Sequence, residues 1–507
     1  VQQVLGEVAE QAEGQGASQV KYNPHPYQRE AIRFMIENGA AGLFLDPGLG
    51  KTSTTLAAFH IRKKKGLVRK MLVVAPLRPA YGVWPAEAAK WDEFRYLNVV
   101  VLHGPHKDEL LKSDADVYVI NPEGLEWLAP HLKALGIDML VVDESTKFKH
   151  PNTKRFKILK SMLKFFRYRY ILTGTPAPNG LLDLFGQVYI LDHGASLGQY
   201  ITWYRKDYFD ASGYGGYSWI PRKGHDTCAK CSAEVLEGLA VKGKHDGCGG
   251  VVVHTESAQE RIYKKLKPLV LRMSAEDYLD LEPYVSNTIY VDLPEKARKI
   301  YEQMEDLLIT SIENDVITAA NAAVAGGKCR QIANGGLYTG DGEKWAAVHE
   351  AKADAVEDLV EELSGKPVLI AYEYKHDLER LQKRFPGAPY IGGGVSPKEF
   401  RAIEVAWNDG LIPVLLAQPQ SVAHGLNLQE VGSAVIWHSL TWNLEDYIQL
   451  IRRVWRQGQK ERIVVHHIAA RKTIDEVILK VVAQKDKNQG ELLSALKTHL
   501  RGRRKAT

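Results

Sequence analysis

The strongest constraint on this chain is an alternation that occurs twice. Short, β-branched apolar runs are separated by amphipathic stretches. In the first third the runs are MLVVAPL (Met71–Leu77), NVVVLHG (Asn98–Gly104), DVYVINP (Asp116–Pro122), DMLVVDE (Asp138–Glu144) and RYILTGT (Arg169–Thr175). In the last third they are KPVLIAYE (Lys366–Glu373), APYIGGG (Ala388–Gly394), IPVLLAQP (Ile412–Pro419), SAVIWHS (Ser433–Ser439) and RIVVHHIAA (Arg462–Ala470). Strands that are apolar at nearly every position suit burial on both faces. That burial arises when helices cover both sides of a parallel sheet. The chain therefore reads as α/β with two such units, and 507 residues are too many for one core. The expected divisions are an N-terminal tail over 1–20, a first lobe over 21–185, an insertion over 186–285, a second lobe over 286–485 and a basic C-terminal tail over 486–507.

The stretch GLFLDPGLGKTSTTLAAFH, Gly42 to His60, ends an apolar run, turns through Gly48 and Gly50, and sets Lys51 beside Thr52 before an alanine-rich segment. Glycines let the backbone wrap an anion, and the amides of a helix N-terminus point at it. Lys51 would reach the β- and γ-phosphates and Thr52 would offer its hydroxyl to Mg²⁺. The usual phosphate-loop pattern has a glycine where this chain has Leu45. A plain glycine turn before a helix is the competing reading.

Three further strings carry chemistry. MLVVDEST delivers Asp143 and Glu144 to the C-terminal edge of a strand, where α/β sheets bind ligands. There Asp143 could hold Mg²⁺ and Glu144 could polarise a water, or the pair could simply cap a helix. YILTGTPAPNG makes a stiff polar turn after a strand. WNLEDYIQLIRRVWRQGQK places Arg453 and Arg456 three apart, on one face if the segment is helical. Two such guanidinium groups can clamp a polyphosphate, and a basic surface helix is the alternative.

The four cysteines are Cys228, Cys231, Cys248 and Cys329, too few for a disulfide scaffold. Cys228-x₂-Cys231 is followed after thirteen residues by His245-x₂-Cys248. Two tight ligand pairs on turns fit a tetrahedral, structural Zn²⁺ in a zinc-ribbon-like insertion. His225 and His254 are rival fourth ligands, and Cys329 is expected to be a buried thiol. The neighbouring YRKDYFDASGYGGYSWIPRKGH is aromatic and basic, so the insertion either touches nucleic acid or is a packed accessory knob.

Taken in order, these strings resemble superfamily-two helicase-type ATPases, and within them the Swi/Snf-like DNA translocases, particularly compact bacteriophage or bacterial forms. NPHPYQREAI resembles the adenine-reading motif, with Gln28 at the matching glutamine. DPGLGKTST resembles that branch's DEMGLGKT, which also lacks the outer glycine. VVAPLRPAYGVWPAEAAKW resembles motif Ia, DEST motif II, LTGTPAPN motif III, VLIAYEYKHDLERL motif IV, HGLNLQ motif V and QLIRRVWRQGQ motif VI. Ahead of HGLNLQ, the stretch QPQSVA (Gln418–Ala423) and His424 depart from the branch's pattern.

The resemblance implies two RecA-like lobes with ATP and Mg²⁺ between them. Gln28, Gly48, Gly50, Lys51, Thr52, Asp143 and Glu144 come from lobe 1. Arg453 and Arg456 come from lobe 2, with Arg456 as the finger on the γ-phosphate. The implied activity is DNA-dependent ATP hydrolysis that moves the protein along DNA, with double-stranded DNA favoured over single-stranded. A strand-separating helicase is the rival within the class, and a non-hydrolysing DNA-binding scaffold the rival outside it. Replication or recombination proteins are the implied protein partners. A net charge of +5 permits a polyanion partner without demanding one. No apolar run is long enough to span a bilayer, and the polar start lacks a signal-peptide hydrophobic region, so a cytoplasmic location is expected.

Overall fold

The computed structural model describes residues 20–486 apart from 213–217, 229, 232–239, 242–243, 246–250, 279–281, 314–318, 340–343, 423–425, 457–458 and 460. The described residues form two compact units that divide between Ser274 and Ala275.

The first unit contains β1 (Ala40–Leu45), β2 (Met71–Val74), β3 (Val99–Val101), β4 (Val117–Ile120), β5 (Met139–Asp143) and β6 (Tyr168–Thr173). Small antiparallel pairs follow: β7 (Phe209–Ser212) with β8 (Ser218–Pro221), β9 (His225–Cys228) with β12 (Val252–Thr255), and β10 (Ala240–Val241) with β11 (Lys244–His245). The chain then returns as β13 (Val270–Met273), and the sheet order is β13-β1-β6-β5-β2-β4-β3, parallel throughout. The helices used below are α1 (Pro26–Glu37), α2 (Lys51–Lys64), α3 (Trp84–Lys90), α4 (Lys154–Met162), α5 (Leu184–Asp192), α6 (Ile201–Tyr208) and α7 (Ala258–Leu266). Their starts are legible locally. Pro26 opens α1, Thr153 accepts from the Phe156 amide ahead of α4, and Ser257 with Glu260 forms a capping box at α7.

The segment expected as an insertion over 186–285 is divided by this architecture. Val188, Tyr204, Ile262, Leu266 and Val270 share one core with Phe44 and Ile171. The flanks of the segment are therefore first-lobe material, and the second unit begins at Ala275. Its weak periodicity hid helices as short as α6, whose buried face is aromatic (Tyr204, Tyr208).

The second unit has β14 (Val285–Val291), β15 (Gly336–Thr339), β16 (Lys344–Ala347), β17 (Val368–Ala371), β18 (Tyr390–Ile391), β19 (Val414–Ala417), β20 (Ala434–Trp437) and β21 (Val464–Ala470). β15 and β16 form a hairpin, and the others make a parallel sheet in the order β14-β21-β20-β17-β19-β18. Around it lie α8 (Glu295–Glu313), α9 (Ala319–Asn334), α10 (Ala351–Glu362), α11 (Lys375–Arg384), α12 (Pro397–Asn408) and α13 (Leu444–Val454). A buried ionic network ties these helices together. Lys352 Nζ lies 2.6 Å from Asp475 with both side chains essentially inaccessible, and it also donates to Asn334 Oδ1 at 2.9 Å. Asn334 and Ser439 both donate to Asp377 Oδ2, at 3.2 and 2.7 Å. Burial pushes the Asp377 carboxyl up, but the adjacent His376, the His438 ring and the Ser439 hydroxyl outweigh it and hold the group low. Among the described residues no helix is long and apolar enough to cross a membrane.

Candidate functional site

In the first unit the chemistry gathers at the C-terminal edge of the sheet. β6 lies between β1 and β5, so the loops after these three strands are neighbours. The loop after β1 runs from Asp46 to Gly50, and α2 starts at Lys51. Gly48 and Gly50 have φ of 93° and 73°, a region costly for side chains. A Cβ at Gly50 would also sit 2.3 Å from Gln28 Nε2. Gln28 is buried, its Nε2 donates to the Leu49 carbonyl at 3.3 Å, and its Oε1 accepts from the His25 amide at 2.9 Å. The adenine-motif glutamine and the phosphate loop are thus joined. Lys51 and Thr52 are half-buried, and Lys51 Nζ donates to the Leu45 carbonyl at 3.0 Å.

Asp143 ends β5 as a buried carboxylate. Its Oδ2 accepts from Trp84 Nε1 on α3 at 3.1 Å, and its Oδ1 accepts from the Glu144 amide at 3.1 Å. Glu144 has φ of 49°, an uncommon conformation for a non-glycine residue. Two strands thus bring a glycine-walled loop, a lysine and an acid pair to one edge. The donor set fits a phosphate chain with its divalent cation, since the loop offers amides and an ammonium and the strand end offers carboxylates.

Three supports were not recognised in the sequence. Asp46 is held by Arg272 of β13 at 2.7 Å, with both side chains buried. Arg272 also donates to the Phe44 carbonyl at 2.9 Å and to the Met273 carbonyl, which braces the loop against the edge strand. Trp84 fixes Asp143. Gln187, fully buried on α5, accepts from Ser145 Oγ at 2.7 Å and donates to the Pro176 carbonyl at 2.6 Å, so one amide links DEST to the TGTPAP turn. That turn also approaches the phosphate loop, because a Cβ at Gly174 would lie 2.8 Å from Pro47 Cδ.

In the second unit the structure brings motifs V and VI together. Arg453 is buried in the last turn of α13, and its Nη1 donates to the Leu426 carbonyl at 3.3 Å. Arg456 donates to Asn427 Oδ1. The two arginines do not share a helical face as the spacing suggested. α13 stops at Val454, because Trp455 turns its indole to the Glu282 carbonyl at 2.9 Å and packs on Tyr284. Burial pushes the nearby Glu404 carboxyl up, against the Asn427 amide and the charges of Arg401, Arg453 and Arg456. In the unusual QPQSVA stretch, Gln418 Nε2 donates to the Glu373 carbonyl and Ser421 donates to Gln418. Ala423 and His424 lie outside the described residues.

Of the expected zinc ligands, Cys248 and the side chains of Cys228 and His245 lie outside the described residues, as do the side chains of His225 and His254. Cys231 is exposed and forms no disulfide. Among the described residues no cluster of three or more metal-ligating side chains occurs. Cys329 is buried, and burial pushes its thiol up to about 11.

A phosphate loop and an acid pair on parallel strands one apart give the first unit the build of a nucleotide-hydrolysing lobe, and a second parallel-sheet unit follows it. Comparison with known proteins makes the class specific. Residues 27–335 match the SNF2-related domain, and residues 351–458 match the helicase conserved C-terminal domain. The chain belongs to the SNF2-related family, and it is a helicase-type ATPase of the Swi/Snf-like DNA-motor class with two parallel-sheet α/β lobes. It is similar to putative protein p41 of Acyrthosiphon pisum secondary endosymbiont phage 1, at 34% identity over 94% of this chain and 99% of that protein. It is 24% identical to the human DNA repair and recombination protein RAD54B, over 94% of this chain and 56% of that one. A solved structure described as the Sulfolobus solfataricus SWI2/SNF2 ATPase core in complex with dsDNA is 21% identical, covers 95% of this chain and 96% of its own, and has a TM-score of 0.41.

Proposed function

We propose that the chain hydrolyses ATP to track along double-stranded DNA without separating its strands. The observation that carries this reading is the intact lobe-1 site in a chain of the SNF2-related family: Gln28 on the phosphate loop, Lys51 at the start of α2, and Asp143 and Glu144 at the end of β5. In it Gln28, Gly48, Gly50, Lys51 and Thr52 bind the nucleotide, Thr52 and Asp143 hold Mg²⁺, and Glu144 takes a proton from the attacking water. Arg453 and Arg456 act on the phosphates during turnover, and an arginine in this role contributes roughly 10³–10⁵ in rate in related NTPases. Contacts to duplex phosphates make binding salt-sensitive and blind to sequence. The test compares nucleic acids. Double-stranded DNA should stimulate ATP hydrolysis more than single-stranded DNA or RNA, and the protein should displace the third strand of a triplex while leaving a forked duplex paired. Unwinding of the fork, with single strands as the best stimulant, would assign a strand-separating helicase instead.

We also propose a structural Zn²⁺ on Cys228, Cys231, His245 and Cys248, supported by the spacing of the two ligand pairs. Elemental analysis of the purified chain should find one zinc per molecule, and Cys231→Ser should lower that content. A wild-type chain purified without chelators that contains no zinc refutes the assignment.

A further inference from the structure

The aromatic stretch Tyr204–His225 does not present its first rings to solvent, because Tyr204, Tyr208 and Phe209 are buried in the lobe-1 core. The accessible aromatics lie just before and within α6. Tyr200 is 57% exposed and Trp203 53% exposed, and their rings meet edge-to-face at 4.8 Å. Two large aromatic rings stand here side by side in solvent.

The loop that carries them is built to hold its shape. Asp192 accepts from the amides of Gly194 and Ser196 at 2.9 and 2.8 Å. Gln199 Nε2 donates to the His193 carbonyl at 2.8 Å, and Lys265 Nζ donates to the Ser196 carbonyl at 2.8 Å. Gly194 has φ of 84°, and a Cβ there would lie 2.5 Å from the Gly198 carbonyl. The rings are therefore pre-positioned, which lowers the entropic cost of stacking a ligand on them.

A row of cations lies alongside. The segment Lys154–Phe165 contains Lys154, Arg155, Lys157, Lys160 and Lys164 and no acidic residue. Lys154 and Arg155 pair with Glu126 and Glu123. Among the described residues no carboxylate pairs with Lys157, Lys160 or Lys164, and all three are exposed. Lys160 Nζ stands 6.0 Å from the Tyr200 ring centroid and 4.5 Å from that of Tyr189, which ties the row to the aromatic pair. Lys164 Nζ stands 5.2 Å from the ring of Phe165, itself partly exposed. This patch lies at the opposite edge of the sheet from the phosphate loop. α4 returns from the end of β5 to the start of β6, and α5 ends where the Leu191 carbonyl accepts from Arg169 near that same start.

Flat π-faces beside unpaired ammonium groups match an unpaired nucleic-acid strand, whose bases stack and whose phosphates are anionic. We propose that this edge of lobe 1 is an accessory single-strand binding site, with bases stacking on Trp203 and Tyr200 and phosphates held by Lys157, Lys160 and Lys164. The inference goes beyond duplex tracking and stands on this patch alone.

The test uses the full chain and a fluorescein-labelled oligothymidylate, read by anisotropy in the presence of saturating unlabelled duplex. The wild type should still bind the oligonucleotide. Trp203→Ala should weaken that binding by about tenfold. Lys160→Gln should lower the magnitude of the salt slope by about 0.7, the value for one phosphate contact on a single strand. Matched thermal melts verify folding, and Trp203→Phe, which keeps a π-face, should retain most of the binding. Complete displacement of the oligonucleotide by duplex, or equal affinity for wild type and Trp203→Ala, overturns the proposal. So does competition by polyglutamate as effective as by unlabelled oligothymidylate, or a wild-type dimer that Trp203→Ala dissociates. None of these outcomes depends on whether duplex DNA stimulates ATP hydrolysis.

Discussion

Glu144 shows how one position is set by its neighbours. Its φ of 49° is sustained by its own amide bonding back to Asp143 and by the 3-10 turn Ser145–Phe148 that follows. Sparsely populated backbone conformations cluster at functional sites, where surrounding structure holds them. Glu144→Gln keeps the shape and removes the basic oxygen. It should leave nucleotide affinity intact and lower turnover by about 10²-fold or more, measured by equilibrium binding and steady-state hydrolysis. Wild-type turnover in that variant removes Glu144 from the role of base. The residues of this site were legible to different degrees. Gln28, Gly50, Lys51 and Asp143 stand in short strings whose chemistry is local. Gln187, Trp84 and Arg272 were not legible, because their partners lie 42, 59 and 228 positions away. Nothing in the local sequence marks a glutamine, a tryptophan or an arginine as the brace of a distant loop.

At the scale of elements, the apolar runs located the strands well because buried parallel strands need no alternation. The run Ala388–Gly394 yields only the two-residue β18, since glycines end it at once. β13 was missed because VLRM carries a charge in its middle, and that arginine is accommodated only by Asp46 and two carbonyls. The same principle governs α10. Its Lys352 sits at a position that periodicity assigns to the core, and it is buried there with Asp475 as its partner. Removing one member of a buried pair leaves an uncompensated charge. Lys352→Met should therefore destabilise the second lobe by about 3–5 kcal/mol, and Lys352→Met with Asp475→Leu should recover much of that loss. Chemical denaturation of the three proteins decides it. A double variant no more stable than the single one would show that the pair is not the cause.

Across the molecule, buried histidines make the second lobe acid-sensitive, and His349 and His467 are two of them. The His349 Nδ1 accepts from the Ala351 amide and its Nε2 faces the Ile332 carbonyl, an arrangement that requires the neutral ring. His467 is buried between the Asn287 carbonyl and the Tyr447 hydroxyl. Burial is the main cause that pushes each down to about 4. The unfolded chain, with ordinary histidines, binds protons below about pH 6.5, and the native lobe binds them only near pH 4. Stability is thus complete above about pH 6.5 and falls as the pH drops towards 4. At pH 5 each ring should cost about 2 kcal/mol relative to pH 7. Denaturant unfolding at the two pH values measures this, and His467→Gln, which can donate and accept, should reduce the difference by about 2 kcal/mol, the share of one ring. A flat profile would contradict the assignment.

The pairing of β1 with β13 also sets an order of events during synthesis. The ion pair and carbonyl contacts that brace the phosphate loop come from Arg272, 228 positions beyond Phe44. Chains grow at about 5–20 residues per second, so roughly 10–45 s separate the appearance of the two strands at the ribosome. Throughout that interval the nascent lobe presents an unpaired edge at β1 and an Asp46 carboxylate without its arginine. Everything between β6 and β13, the cysteine-bearing segment included, is made before the nucleotide loop receives its brace, so the lobe can complete that loop only after the intervening chain has been made.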